Sequence, residues 1–419
     1  MPRSGIVREA LDARFPGWVG LHRVLPGWQE DRAELMDGGW DVLFLGDSIP
    51  VTGDDGTMRH YRSTVREFQR QVQTALNPVG FMGGAGYIPS SVGGAGGHGN
   101  GGNPVTAGAA PGEYGNWSVA TPGRGVGGRH CGYQPNTAQD TRFLMNGTDA
   151  TAPTRRWGTK EVMLVGRRYP GGPVVDIDIN TNGTTPNRNA GAISADWSTH
   201  HTTTEYGARS AVVTGLGPTQ NCRVVARGGA SAGDGVAYLD GAIFFGDDRE
   251  AGIRVHDLCN PGSRLDLWAE ESLQASVNAW GTGGVASRAK WVFISFLVND
   301  ANAVQSAVQS QSGFEAAYSA LIQRALSLPS QPNVVLLVPP EPSGAGVTFT
   351  PTIFASMRSA LYELAATSGP RVALFDLGVL VRFQPIPTMV STGCFKSDGV
   401  HLSDEGHTTP AQLFAARLI

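Results

Sequence analysis

Charge is scarce in this chain. Only 16% of its 419 residues are Asp, Glu, Lys or Arg, and the formal net charge is −4. A balance this even leaves no basic stripe, which excludes nucleic acid and an anionic membrane as electrostatic partners. Long apolar runs are missing too: no stretch approaches the roughly 20 residues of a membrane-spanning helix. The opening residues, Met1 to Ala10, lack the apolar centre of a secretory signal. Action outside a cell would then need another route, such as incorporation into a virus particle, or a signal already removed; the compartment stays open. Cysteine is limited to Cys131, Cys222, Cys259 and Cys394, with no metal-ligand spacing. A Cys131–Cys222 bridge and free buried thiols both remain open.

Glycine, by contrast, is abundant. The chain has 57 glycines beside an ordinary hydrophobic fraction of 41%, a composition that favours loop-rich β structure over helical bundles. Its length suggests two domains with an extra arm. Five apolar runs, beginning near residues 41, 253, 291, 333 and 371, read as buried strands. Helical spacing falls between them: Met58 to Leu76, the face Phe314, Tyr318, Leu321 and Ala325, and Ile353 to Ala366. Thr409 and Pro410 can open a closing helix. Strands alternating with helices predict a parallel five-stranded sheet covered on both faces, with reactive groups at the strands' C-terminal ends.

A long segment breaks this rhythm. It opens with the glycine tracts at 80–86 and 93–102, which read as a flexible connector or a loop over the site; no lysine follows in phosphate-loop spacing. From Tyr114 to Gly246 the pattern has period two: Val175, Ile177 and Ile179 alternate with Asp176, Asp178 and Asn180. Val162, Leu164, Val224, Val236, Tyr238 and Phe244 fall in similar short runs. This predicts an inserted β-sandwich or jelly-roll. Asp178, Asn180 and Asn182 imitate the start of a calcium loop, but position twelve is Asn189 and Pro186 intervenes, so strand alternation is the better account. His200-His201 lacks a third ligand and reads as an exposed loop. Trp117, Trp157, Trp197 and Tyr206 could stack on sugar or serve as packing. The expected boundaries are an N-terminal arm at 1–37, a discontinuous α/β domain at 38–92 and 248–419, and the insert at 93–247. The arm, with a helix-like stretch from Ile6 to Phe15, would dock on that domain or join it to a larger assembly.

The chemistry-bearing residues sit at the strand ends. Val42-Leu-Phe-Leu-Gly-Asp-Ser48 delivers a serine to the lip of a sheet, and Asp398-x-x-His401 can supply a base and its orienting carboxylate. The run from Trp291 to Val298 ends in Asn299-Asp300, and the run from Ile253 breaks into Asn-Pro-Gly262, where a glycine lets its N–H approach a substrate oxygen. Gly-Asp-Ser or Asp-x-x-His alone would be weak; the ordered combination is far more specific. His407, six residues past His401, reads as a packing or capping residue.

In this order the blocks resemble the SGNH (GDSL-type) serine hydrolases, over about 38–78 and 250–419. The resemblance implies a flavodoxin-like α/β/α fold and an esterase with Ser48 as nucleophile, His401 as base and acid, and Asp398 orienting it. The Ser48 N–H, the Gly262 N–H and the Asn299 amide would form the oxyanion hole. Leu297 stands where the family pattern has glycine. Neither metal nor organic cofactor is implied. The layout is similar to phage-tail and cell-envelope-directed members, so the expected partner is an acylated polysaccharide or glycolipid, with the arm as the link to a virion or envelope assembly. Two alternatives stay open: a long-chain lipid esterase, against which the glycine-rich loop has almost no leucine or isoleucine, and a carbohydrate-binding structural protein on a hydrolase scaffold.

Overall fold

The computed structural model describes residues 18–33, 39–50, 63–76, 83–84, 86–89, 118–119, 131–133, 141–145, 160–181, 195–215, 221–226, 236–246, 249, 251–259, 262–268, 288–342, 344, 347–381, 395–403, 406–407 and 411–412. The five expected parallel strands are Trp40–Gly46, Ile253–Cys259, Ala289–Ser295, Asn333–Val338 and Val372–Asp376. Their spatial order runs Val372–Asp376, Asn333–Val338, Ala289–Ser295, Trp40–Gly46, Ile253–Cys259, every pair parallel. The sheet has one strand more than the sequence pattern suggests. Trp18–Val19 adds an antiparallel edge beside Val372–Asp376. This strand is too short to register as a periodic pattern, and only its pairing makes it visible.

Alternation divides the sheet cleanly. Val42, Phe44, Trp291, Phe293, Val335 and Leu337 pack with Trp28 and Phe68, from the helices Leu21–Ala33 and Thr64–Leu76. Leu43, Leu45, Val292, Ile294, Val334 and Leu336 pack with Phe314, Tyr318, Phe354 and Leu361, from Gln311–Leu326 and Pro351–Thr367. Helices therefore cover both faces, and every residue of Trp40–Gly46 is buried. Trp18, Leu21, Val24 and Trp28 of the arm belong to the core, so this part of the arm docks on the sheet. Residues 6–15, 58–62 and 409–410 lie outside the described residues. His407 is a cap, as its position suggests: fully buried, its Nδ1 accepts the Thr64 N–H at 3.2 Å at the head of Thr64–Leu76.

The intervening segment forms two antiparallel sheets. One runs in the order Glu205–Arg209, Glu161–Arg168, Ala237–Phe245, Cys131–Tyr133, Ser118–Val119, with Val213–Thr214 and Gly86–Pro89 also attached. The other runs Thr141–Met145, Asn221–Ala226, Val174–Thr181, Ala195–Ser198. Cys131 and Cys222 are on strands of different sheets. Cys259 is buried and free, and Cys394 lies outside the described residues.

The described part of the first glycine tract, Gly83, Gly84 and Gly86, is not a loop over the site. Gly83 and Gly86 pack beside Ile253–Cys259 and Gly84 beside residues 244–246, all three with positive φ, and a Cβ on Gly86 would lie 2.3 Å from the Val255 carbonyl oxygen. Absence of side chains is what lets two backbones approach this closely. Polar groups lock the same seam. Tyr87 N–H donates to His256 Nδ1 (2.9 Å), Arg66 Nη2 to the Tyr87 carbonyl (2.9 Å), and Arg254 Nε to Asp41 (2.8 Å). The second tract and the glycines past 86 up to 102 lie outside the described residues. So do Trp117, Trp157 and residues 182–194 of the calcium-like stretch. Trp197 is buried against Gly166, which removes it from the sugar-stacking candidates. The His200 ring accepts the Gly171 N–H, the His201 ring bonds Thr203, and the His201 N–H donates to the Tyr169 carbonyl.

Candidate active site

Three parallel strands end at one level. Gly46 pairs with Cys259 on one side and Ser295 on the other. The chain segments leaving these positions carry Ser48, Gly262 and Asn299, so sheet register alone gathers the three blocks at one edge. After Gly46 the chain turns sharply. Asp47 N–H donates to the Ser295 carbonyl (3.1 Å), and Asp47 Oδ1 accepts the Ile49 N–H (2.9 Å), holding half-buried Ser48 at the lip. A Cβ on Gly46 would lie 2.8 Å from the Ser295 carbonyl oxygen, which leaves glycine as the residue that fits there.

The Asp398–His401 turn is pinned at both ends. Phe395 and Leu402 are buried in the core and bridge each other across the turn. Lys396 N–H donates to the His401 carbonyl (3.0 Å), and Gly399 takes φ 65° at the tip. Asp398 Oδ1 accepts the Val400 and His401 amides at 2.8 and 3.0 Å, and its Oδ2 lies 2.8 Å from His401 Nδ1. His401 Nε2 lies 2.9 Å from Ser48 Oγ. Burial works to raise the Asp398 pKa, but the bonds from the His401 ring and the two amides outweigh it and hold it below the ordinary value. An ionised carboxylate only accepts, so Nδ1 carries the imidazole proton and Nε2 is left to accept from the serine.

Asn299 stands in the first turn of the Val298–Gln305 helix, and its Nδ2 donates to the Ser263 carbonyl (3.1 Å). Leu297 does not disturb this path. Its φ is −170°, an extended conformation open to any residue, so this backbone does not require glycine there. Gly262, at φ 73°, occupies a conformation that does favour glycine. Its loop is tied to the asparagine block twice, by Asn299 on Ser263 and by Asp300 Oδ1 accepting the Leu265 N–H (3.0 Å).

Two carboxylates that sequence reasoning passed over flank the serine. Burial pushes the Asp47 carboxyl up to about 7, against the bonds it accepts from the Ile49 and Leu297 amides. Burial likewise pushes Asp300 up to about 8, against the Leu265 amide bond and helped by the charge of Asp47. Both are fully enclosed, and each fixes one loop of the site. The signal was present in the Gly-Asp-Ser and Asn-Asp pairs, where each aspartate adjoins a singled-out residue. Among the described residues no group of His, Cys, Asp and Glu could hold a metal ion.

No protein-family model matches the sequence, and no curated protein matches it. Solved structures do. A peptidoglycan O-acetylesterase superposes with a TM-score of 0.60 at 14% identity, over 94% of this chain and 95% of its own. The chain shares the fold of that esterase. An acetyl xylan esterase matches 40% of this chain and 82% of its own, at 18% identity and a TM-score of 0.32. A family two carbohydrate esterase from Clostridium thermocellum, in complex with cellohexaose, matches 67% and 91%, at 14% identity and 0.28. These two are too loose to carry weight. The first match carries the fold alone: it aligns over nearly the whole of both proteins, the parallel and the antiparallel sheets of this chain together.

Proposed function

We propose that this protein is a serine carboxyl-ester hydrolase that removes short acyl groups, acetyl foremost, from a cell-envelope polysaccharide or glycolipid. The observation that carries the reading is the continuous chain Ser48 Oγ–His401–Asp398, at 2.9 and 2.8 Å. In this reading Ser48 Oγ attacks the ester carbonyl carbon while its proton passes to His401 Nε2. The charge developing on the carbonyl oxygen meets the Ser48 N–H, the Gly262 N–H and the Asn299 amide. Collapse of the tetrahedral species expels the sugar oxygen, which takes the proton from His401. A water then gives its proton to the same nitrogen and attacks the acyl-serine, and collapse breaks the acyl–Oγ bond, His401 returning the proton to Ser48 Oγ as the carboxylic acid leaves.

Acetylated glycan is favoured as substrate because the broad structural likeness is to a peptidoglycan O-acetylesterase. The architecture that goes with this reading is a flavodoxin-like α/β/α domain at 38–92 and 248–419, interrupted by a β-sandwich or jelly-roll at 93–247, with the arm at 1–37 as the link to a virion or envelope assembly. A chromogenic acetyl ester and a fluorophosphonate probe test the chemistry. The wild type should turn over the ester and be labelled on Ser48, and Ser48→Ala should lose both while keeping its melting temperature. Labelling at another residue, or full turnover by Ser48→Ala, refutes the assignment.

A further inference from the structure

Resting on that reading, we infer that Arg167, held by Tyr169, Tyr206 and Tyr238, is a subsite for a carboxylate-bearing sugar next to the acylated one. The guanidinium carbon lies 5.0, 5.2 and 5.1 Å from the centroids of the three rings. Ring contacts of this kind hold an arginine through its charge and its flat face, and do not consume its N–H donors. Arg167 is half-buried, its Nε is enclosed without an acceptor, and no carboxylate pairs with it among the described residues. Its neighbour Arg168, by contrast, is matched by Glu205 at 3.3 Å. A positioned cation lacking a partner is suited to a planar carboxylate, which arginine can bind through two parallel hydrogen bonds.

Sheet register places this cluster beside the reaction site. Met163, Val165 and Arg167 alternate on one face of Glu161–Arg168. Met163 and Val165 pack into the core cluster that contains Ile49, Leu258, Leu265 and Leu402, and so does Tyr206. Arg167 continues that face past the packed part. Tyr238 joins it through an irregularity: Ile243 pairs with Met163 and Gly241 with Val165, then the register shifts and Tyr238 pairs with Arg167. Without the bulge, alternation would turn Tyr238 to the other side.

The level along the strands follows from the packed glycine strand. Tyr87 is level with His256 through its hydrogen bond and pairs with Ile243. Moving from Ile243 to Tyr238, which the bulge makes equal to the four steps from Met163 to Arg167, is about 13 Å at the usual strand rise, and moving from His256 to Cys259 in the same direction is about 10 Å. The tyrosine thus stands roughly 3 Å beyond the end of the parallel strand, the height at which the Ser48 and Gly262 loops emerge. A polymer lying across Ser48 would extend toward Arg167.

The test uses full-length protein carrying Ser48→Ala, so that binding is read without turnover. Hexagalacturonate and the neutral xylohexaose are titrated calorimetrically, with and without Arg167→Gln. The acidic sugar should bind about tenfold or more tightly than the neutral one, the usual scale of a charge-assisted hydrogen bond, and Arg167→Gln should erase that preference. Equal affinity for the two sugars, or a preference that survives Arg167→Gln, overturns the inference. If Arg167→Gln fails to fold, 0.5 M NaCl on the unsubstituted surface serves instead: the preference should collapse by screening, and its persistence also overturns the inference. With Ser48 present, Arg167→Gln should hydrolyse the small chromogenic ester normally, and a matching loss there would make Arg167 structural. Absence of ester turnover in the wild type would sink the esterase reading alone, because the binding comparison does not depend on it.

Discussion

Replacing Asn299 by alanine separates a chemical role from a structural one. Its carboxamide has two N–H donors, and one is committed to the Ser263 carbonyl at 3.1 Å. The other is free to meet an oxyanion. Losing one oxyanion donor costs roughly 10²–10³ in kcat, about 2.7–4 kcal/mol in the transition state. Losing the bond to Ser263 costs only about 1 kcal/mol of stability, and in a chain of this length that moves the melting temperature by roughly 2 °C or less. The two effects are therefore read by different instruments and differ greatly in size. Steady-state kinetics on a chromogenic acetyl ester should show kcat falling at least about 100-fold with KM little changed, while calorimetry shows a small shift. An unchanged kcat would refute the oxyanion assignment and mean that Asn299 serves only to tie its helix to the Gly262 loop. A large melting shift that matched the activity loss would point the same way.

Other substitutions probe the supports of the site. A Cβ on Gly344 would fall 1.3 Å from the Asp398 carbonyl oxygen, so Gly344→Ala should push the Asp398–His401 turn aside and lower kcat roughly 100-fold, the scale of a 1 Å misplacement; full activity would show that the turn does not depend on this contact. Asp300 has a folded pKa raised to about 8, so the folded state keeps a proton that the unfolded chain releases near pH 4. The stability it contributes is complete below that pH and declines by about 1.4 kcal/mol per pH unit until pH passes the folded value. Asp300→Asn keeps a neutral acceptor for the Leu265 amide, so its melting temperature relative to wild type should climb between pH 5 and pH 8; an offset that is constant with pH would refute this. Trp197→Ala should cost about 3–5 kcal/mol in denaturant unfolding, as a buried aromatic does, while hexasaccharide binding by the surviving folded protein stays the same; selective loss of binding would return Trp197 to the sugar-facing candidates.

Much of the parallel sheet was legible because its residues obey strong local rules. A parallel strand buried on both faces needs an unbroken apolar run, and Val42–Leu45, Trp291–Ile294 and Val334–Val338 supply one each. The Gly-Asp-Ser and Asn-Asp blocks stood out for a related reason: polar chemistry stops an apolar run at the sheet's edge. Trp18–Val19 was illegible because two residues have no period. The packed glycine strand was misread because glycine content alone does not separate a mobile loop from two backbones in close approach.

By itself the sequence determined which strands are buried, in what order they occur, and which reactive side chains follow them. Only the tertiary structure decided what meets what. The 2.9 Å contact of His401 with Ser48 spans 353 positions of sequence, and His407 caps a helix 343 positions away. Leu297 could be judged only from its backbone angle, because a motif records a usual residue and not the conformation that this chain adopts. Tyr238 makes the same point most sharply. Period-two alternation from Ile243 turns it away from the face of Met163 and Val165, and a one-residue bulge against Glu161–Arg168 turns it back beside Arg167. Register is a property of two strands together, so no single strand's sequence contains it.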